Sequence, residues 1–202
     1  NQLQAHVVAF DYRGYGDSSN VWPTAEGLAN DTATMYHWLL RQGVSPQRIL
    51  VWGHSMGTAV AVRFLSGLAP DTSPVAAVLE ATFTSIKGAI PAYPMAKLFT
   101  YLPYFEYFFV DPIVQNPSTN FDSTALLHRV HTPLLILHAQ DDRVVPIHLG
   151  RKLYEVALRT QPSAVARPRF HSFPASKGYG HKYIVLDPEL VTIISDFIKS
   201  IS

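Results

Sequence analysis

The pentapeptide Gly53-His54-Ser55-Met56-Gly57 stands between an apolar run, Arg48-Ile49-Leu50-Val51-Trp52, and a stretch of small residues, Thr58-Ala59-Val60-Ala61. A strand that turns at once into a helix around Gly-x-Ser-x-Gly leaves few folds open. The serine sits at the apex of a strained turn, and the glycines on both sides leave room because neither carries a Cβ. Its Oγ projects from the end of a sheet, beside helix N–H groups that favour a developing negative charge. That geometry suits acyl transfer. The plain alternative is a serine in a tight turn, and the choice between the two rests on the rest of the chain.

Short apolar runs alternate with helical patterns along the sequence. Strands are predicted at Ala5–Phe10, Arg48–Trp52, Val75–Leu79, Leu134–Leu137 (after Pro133) and Arg169–Phe173. Helices are predicted from Ala25 to Gln42, with Leu28, Thr32, Met35 and Leu39 at helical spacing, from Met56 to Leu68, and from Val145 to Leu158. A final helix has Asp187 as N-cap, Pro188 in the first turn, and the stripe Leu190, Ile193, Ile194, Phe197, Ile198. This alternation means an α/β fold with a mostly parallel sheet covered on both faces. One segment breaks it. Residues from about 83 to 121 hold five prolines and a dense set of aromatics, among them Tyr104, Phe105, Phe108 and Phe109. An insertion between two sheet strands belongs over the active face, so the segment reads as a cap or lid on a single domain spanning 1–202. Aromatic stripes are more often core than pocket, but the prolines argue against a regular core helix.

Composition closes several routes. With 48% hydrophobic and 15% charged residues among 202, the chain is a folded, rather apolar globular protein. A net charge of +1 supplies no field to steer nucleic acid, and no nucleic-acid partner is expected. The absence of cysteine excludes disulfides, thiolate metal sites and thiol catalysis. No apolar run approaches the ~18 residues of a membrane span.

A serine nucleophile needs a base and an orienter for that base. Asp141 and Asp142 follow the strand ending in Leu137-His138, and His181 lies in the loop Gly178-Tyr179-Gly180-His181-Lys182-Tyr183. Glu80, at the end of the third predicted strand, is another candidate acid, and His171 another candidate base, though it falls inside a predicted strand. His6, His37, His128, His131 and His148 have no metal-ligand spacing, and neither a metal nor a cofactor is implied.

Five stretches together resemble the α/β-hydrolases, and within them the animal lysophosphatidylserine and monoacylglycerol lipases of the alpha/beta-hydrolase-domain group. They are Phe10 to Ser18, Trp52 to Thr58, Leu134 to Asp142, Leu149 to Tyr154, and Gly180 to Ile184. Tyr104 to Pro112 is similar to that group as well. The resemblance implies Ser55 as nucleophile, Asp142 as acid (four residues after His138), His181 as base, and the Met56 backbone N–H as an oxyanion donor. It makes Asp141 the neighbour most easily confused with Asp142, His54 a support residue beside the elbow, and His138 a shaper of the loop holding Asp142. Tyr12, Arg13 and Asp17 belong to a structural loop on the same reading. The implied reaction is hydrolysis of a lipid carboxylic ester, with thioester or peptide cleavage and a catalytically silent scaffold as alternatives. The aromatic segment then becomes an acyl-chain pocket or a membrane-touching surface. Membrane association at the endoplasmic reticulum is implied in the same way.

The group carries a His-Gly loop that supplies a second oxyanion donor, after a strand lying between the first two strands predicted here. Neither is present in this sequence. The expectation is therefore a chain that starts inside the fold, with a gap in its sheet, half an oxyanion hole, and poor folding and activity when alone. Asn30-Asp31-Thr32 is a glycosylation sequon inside a predicted helix, whereas Asn116-Pro117-Ser118 is disqualified by its proline.

Overall fold

The apolar run after Pro133 forms the interior of the sheet. In the computed structural model, which describes residues 5–85 and 121–201, four strands lie in the order β1 Leu50–His54, β2 Ala76–Glu80, β3 Leu134–Ala139, β4 Arg169–Phe173, all parallel. β2 and β3 are buried at every residue, which is why they read as continuous apolar runs without alternation. In-register pairs are Val51 with Ala77, His54 with Glu80, Leu79 with Ile136, and Leu137 with His171.

Among the described residues, four α-helices cover the two faces: α1 Ala25–Arg41, α2 Met56–Leu65, α3 Ile147–Thr160 and α4 Leu190–Ile201. On one face Ala77, Leu79, Leu134 and Ile136 pack against Val62 and Leu65 of α2 and Leu153 and Ala157 of α3. On the other, Val78, Leu135, Leu137 and Phe173 pack against Leu190, Ile194 and Phe197 of α4, which accounts for the amphipathic stripe of the last helix. Each Val, Leu, Ile or Phe among them, taken fully out of water, contributes about 1.5–3 kcal/mol before the entropy of ordering is counted. Thr24 caps α1 by accepting the Gly27 N–H at 3.0 Å. Asp187 accepts the Glu189 N–H at 2.8 Å ahead of α4.

Boundaries shift by a few residues from those predicted. The second strand runs Leu50–His54 rather than Arg48–Trp52, because Pro46–Arg48 closes a 3₁₀ turn capped by Ser45 and the ladder with β2 extends to His54. One predicted element is not there. Residues 5–10 are not part of the sheet, and Val7 is 89% exposed. A strand exists only where a neighbour takes its main-chain hydrogen bonds. Here an open groove lined by Val8, Phe10, Tyr12, Met35, Leu39 and Trp52 separates this segment from β1. β1 is accordingly an edge strand with Trp52 exposed. Met35 and Leu39, two of the residues at helical spacing in α1, line that groove, and Leu39 also packs against the edge of the core. Leu28 of the same stripe is buried, and so is Tyr36, its hydroxyl donating to the Thr72 carbonyl at 2.6 Å.

The aromatic segment, with Tyr104, Phe105, Phe108 and Phe109, lies outside the described residues. Its two ends meet: Ser85 bridges antiparallel to Asp122, and the Ser123 N–H donates to the Thr84 carbonyl at 3.0 Å. Phe83 and Phe121, at this neck, are buried together with Leu149 and Val60.

Candidate active site

Four strands end on one edge of the sheet, and the chemistry-bearing residues follow their carboxyl ends. Ser55 comes directly after β1. It has φ 52° and ψ −119°, a left-handed conformation that few non-glycine residues adopt. The surrounding structure imposes it. The Ser55 N–H donates to the Glu80 carbonyl at 2.9 Å, while the Ser55 carbonyl accepts from the Thr58 N–H at 3.0 Å and the Thr58 hydroxyl at 2.6 Å. The buried Thr82 hydroxyl donates in turn to Thr58 Oγ1 at 3.0 Å. Thr82 carries no signal in the sequence, since its burial and its bond to Thr58 arise only in the fold.

The two glycines of the pentapeptide differ. A Cβ on Gly53 would lie 2.4 Å from the Gly57 carbonyl oxygen, so Gly53 lets β1 and α2 touch backbone to backbone. Among the described residues, a Cβ on Gly57 would meet nothing within 4 Å. The sequence expectation that both leave room therefore holds for Gly53 alone.

His181 stands between Ser55 and Asp142. Its Nε2 is 3.1 Å from Ser55 Oγ, and its Nδ1 is 2.8 Å from Asp142 Oδ2. With Nδ1–H donating to the carboxylate, Nε2 presents its lone pair to the Ser55 hydroxyl. The Asp142 side chain is inaccessible to solvent. Its other oxygen, Oδ1, accepts the Val144 and Val145 N–H groups at 2.8 and 2.9 Å. Burial works against a charge there. Hydrogen bonds from His138, His181 and the Val145 amide outweigh it and hold the Asp142 carboxyl well below the usual carboxylate range.

His138 is wholly buried in β3, and its Nε2–H donates to the Val145 carbonyl at 2.8 Å while lying 3.5 Å from Asp142 Oδ2. It thereby fixes the turn that carries Asp142. Asp141 serves differently: its Oδ2 accepts the Gly180 N–H at 2.9 Å, anchoring the loop next to His181. The paired aspartates thus hold that loop twice, one by main chain and one by side chain. A third anchor is the ion pair between Lys177 and Asp187, 2.6 Å apart across the ends of the loop.

The other candidates lie outside this arrangement. Glu80 is buried at the end of β2 and accepts the Trp52 indole N–H at 3.0 Å. Burial raises its carboxyl above the ordinary value, against the pull of His54, Trp52 and His181. His171 sits within β4, edge-on to Phe173 with ring centroids 4.7 Å apart. Arg13 forms a bidentate ion pair with Asp31, at 2.7 and 3.0 Å, tying the loop after residue 10 to α1. Asn30 is exposed within α1. Among the described residues, no group of three or more histidine or acidic side chains could hold a metal ion.

This sheet, with a strained serine turning into α2, is the architecture of an α/β-hydrolase. Residues 1–192 match the Alpha/beta hydrolase family, and the chain belongs to it. Among curated proteins it is 39% identical over 201 residues to the lysophosphatidylserine lipase ABHD12 of Danio rerio, covering 99% of this chain and 52% of that protein. It is 40% identical over 200 residues to the ABHD12 of Rattus norvegicus (98% and 49%), and 37% identical over 196 residues to protein ABHD12B of Homo sapiens (96% and 52%). The chain spans about half the length of these relatives. Solved structures share the fold. The esterase RhEst1 from Rhodococcus sp. ECU1013 superposes with TM-score 0.61 at 22% identity, covering 95% of this chain and 79% of that one. A monoacylglycerol lipase from Paleococcus ferrophilus gives 0.58 at 18% (96% and 83%).

Proposed function

We propose that this chain carries the catalytic machinery of a serine hydrolase acting on lipid carboxylic esters, with a lysophospholipid of the lysophosphatidylserine type as substrate. The observation that carries the reading is the continuous hydrogen-bonded series Ser55 Oγ, His181 Nε2, His181 Nδ1, Asp142 Oδ2, at 3.1 and 2.8 Å, assembled from three different strand ends. The names of its relatives, lysophosphatidylserine lipases, support the substrate class.

In this mechanism Nε2 of His181 takes the Ser55 proton as Oγ attacks the acyl carbonyl. Asp142 keeps Nδ1 protonated and stabilises the cationic ring. The developing oxyanion receives the Met56 N–H, which has no intrahelical acceptor because Met56 is the first residue of α2. His181 then returns the proton to the leaving alcohol, the lysolipid headgroup side. Water, deprotonated by the same nitrogen, cleaves the acyl enzyme. Tyr104, Phe105, Phe108 and Phe109 are proposed to bind the acyl chain, and the segment between Ser85 and Asp122 to act as a cap. The meeting of its two ends at one neck supports that role. No described helix is long and apolar enough to cross a membrane. Membrane association at the endoplasmic reticulum is proposed from the resemblance alone.

The test is labelling with a fluorophosphonate probe, followed by release of fatty acid from lysophosphatidylserine and from monoacylglycerol. Labelling lost in Ser55→Ala, with lysophosphatidylserine the better substrate, supports the proposal. Labelling that survives Ser55→Ala overturns the nucleophile, and preference for monoacylglycerol overturns the substrate.

A further inference from the structure

His181 is oriented through its side chain by Asp142, but a side chain is placed no better than its own backbone. The loop between β4 and α4 is long, and its anchors at Lys177 and Gly180 lie to one side of residue 181. A further anchor acts on His181 itself. Nε2 of His54 lies 2.7 Å from the His181 backbone carbonyl oxygen, across a separation of 127 residues. A carbonyl accepts, so Nε2 of His54 carries the hydrogen. The two imidazoles pack at a tilt of 55° with centroids 4.8 Å apart.

We propose that His54 is a positioning residue, clamping the main chain of the general base to the strand that delivers the nucleophile. The inference rests on the reading of Ser55 and His181 as nucleophile and base. Its force comes from adjacency. His54 is the last residue of β1 and Ser55 the next, so a bond from His54 to the His181 backbone fixes the separation of the two reacting side chains without involving Asp142. The sheet supports the clamp from behind. Glu80 pairs in register with His54 and is itself held by the Trp52 indole, two residues back on the same face of β1. His54 is solvent-exposed, so its removal leaves the core intact.

The experiment compares His54→Ala, His54→Phe and His54→Gln in the full encoded polypeptide, with Ser55→Ala as control. A p-nitrophenyl ester reports kcat and KM, a fluorophosphonate probe reports the rate of Ser55 acylation, and thermal unfolding reports the fold. Phe keeps an aromatic ring against His181 but cannot donate, whereas Gln keeps a donor. The expected result is a roughly 10- to 100-fold loss of kcat and of labelling rate in His54→Ala and His54→Phe, the scale for small misplacement of reacting groups. KM stays unchanged, the melting temperature is preserved, and most of the rate returns in His54→Gln. Unchanged kcat in His54→Phe, a loss confined to KM, or a Gln variant as slow as the Phe variant overturns the proposal. The Gln and Phe variants decide the matter between them where His54→Ala is unstable. Labelling that survives Ser55→Ala counts against the nucleophile assignment instead, which keeps the two failures apart.

Discussion

Gly150 in α3 lies directly against Nδ1 of His138, so closely that a Cβ at position 150 would sit 2.4 Å from that nitrogen. His138 is wholly buried, its Nε2 is committed to the Val145 carbonyl, and its Nδ1 has no hydrogen-bond partner among the described residues. The imidazole therefore has no room to retreat. Gly150→Ala is expected to cost about 1–3 kcal/mol of stability, the range for overpacking a filled interior. It is also expected to slow acylation of Ser55, because the displaced ring shifts the turn holding Asp142. The cost should shrink in a His138→Ala background, where the clash is gone. Denaturant unfolding of the two single variants and the double variant measures that coupling.

The elbow gives an asymmetric prediction. Gly53→Ala drives a Cβ into the Gly57 main chain, which cannot rotate aside. It should destabilise by about 1–3 kcal/mol and abolish probe labelling. Gly57→Ala meets no described residue within 4 Å and sits within α2, so it should leave labelling near wild type and raise stability by up to ~1 kcal/mol through helix propensity. Thermal unfolding with parallel labelling checks both.

The adjacent aspartates separate by what each accepts. Asp142→Asn keeps the shape but cannot hold His181 in the required tautomer, and a loss of kcat of about 10⁴-fold is expected, as for such substitutions in other serine triads. Asp141→Asn still offers an oxygen to the Gly180 N–H and should retain most activity, whereas Asp141→Ala releases the loop and should not. Steady-state ester hydrolysis ranks the three. Comparable losses in both Asn variants would overturn the division of roles.

The depressed Asp142 carboxyl carries a stability signature. An unfolded aspartate titrates near ~3.9 and the folded one lies below it, so in acid the unfolded chain binds more protons than the native one. The contribution is fully present above about pH 5 and is lost as the pH falls toward the folded value. Asp187, desolvated yet held down chiefly by Lys177, and Asp31, bonded to Arg13, shift in the same direction. Unfolding free energy should thus be flat near neutrality and fall below about pH 4. Asp142→Asn should flatten part of that fall. A variant with the wild-type acid profile would assign the effect to other carboxylates.

Much of this arrangement was legible because local chemistry and global fold agree. Arg169–Phe173 forms a strand with the predicted limits, and the stripe from Leu190 to Ile198 packs on the sheet as its periodicity requires. Ser55, Asp142 and His181 each carried a local signal: glycines around the serine, an acid after an apolar strand, a histidine in a glycine loop. Residues 5–10 misled because an apolar β-branched run describes what a strand wants, while pairing depends on a neighbour that periodicity does not report.

The sequence by itself determined the α/β class, the strand that ends in a strained serine, and the residue types able to accept and relay its proton, because those depend on backbone geometry and side-chain chemistry within a few positions of one another. Only the tertiary structure decided that Asp141 holds Gly180, that Glu80 answers to Trp52, that His54 reaches the His181 carbonyl, and that Gly150 must lack a side chain. These are contacts between segments far apart in the chain. Packing sets their distances; the local pattern of two adjacent carboxylates does not say which of them faces the imidazole, and it is the resemblance that points to Asp142.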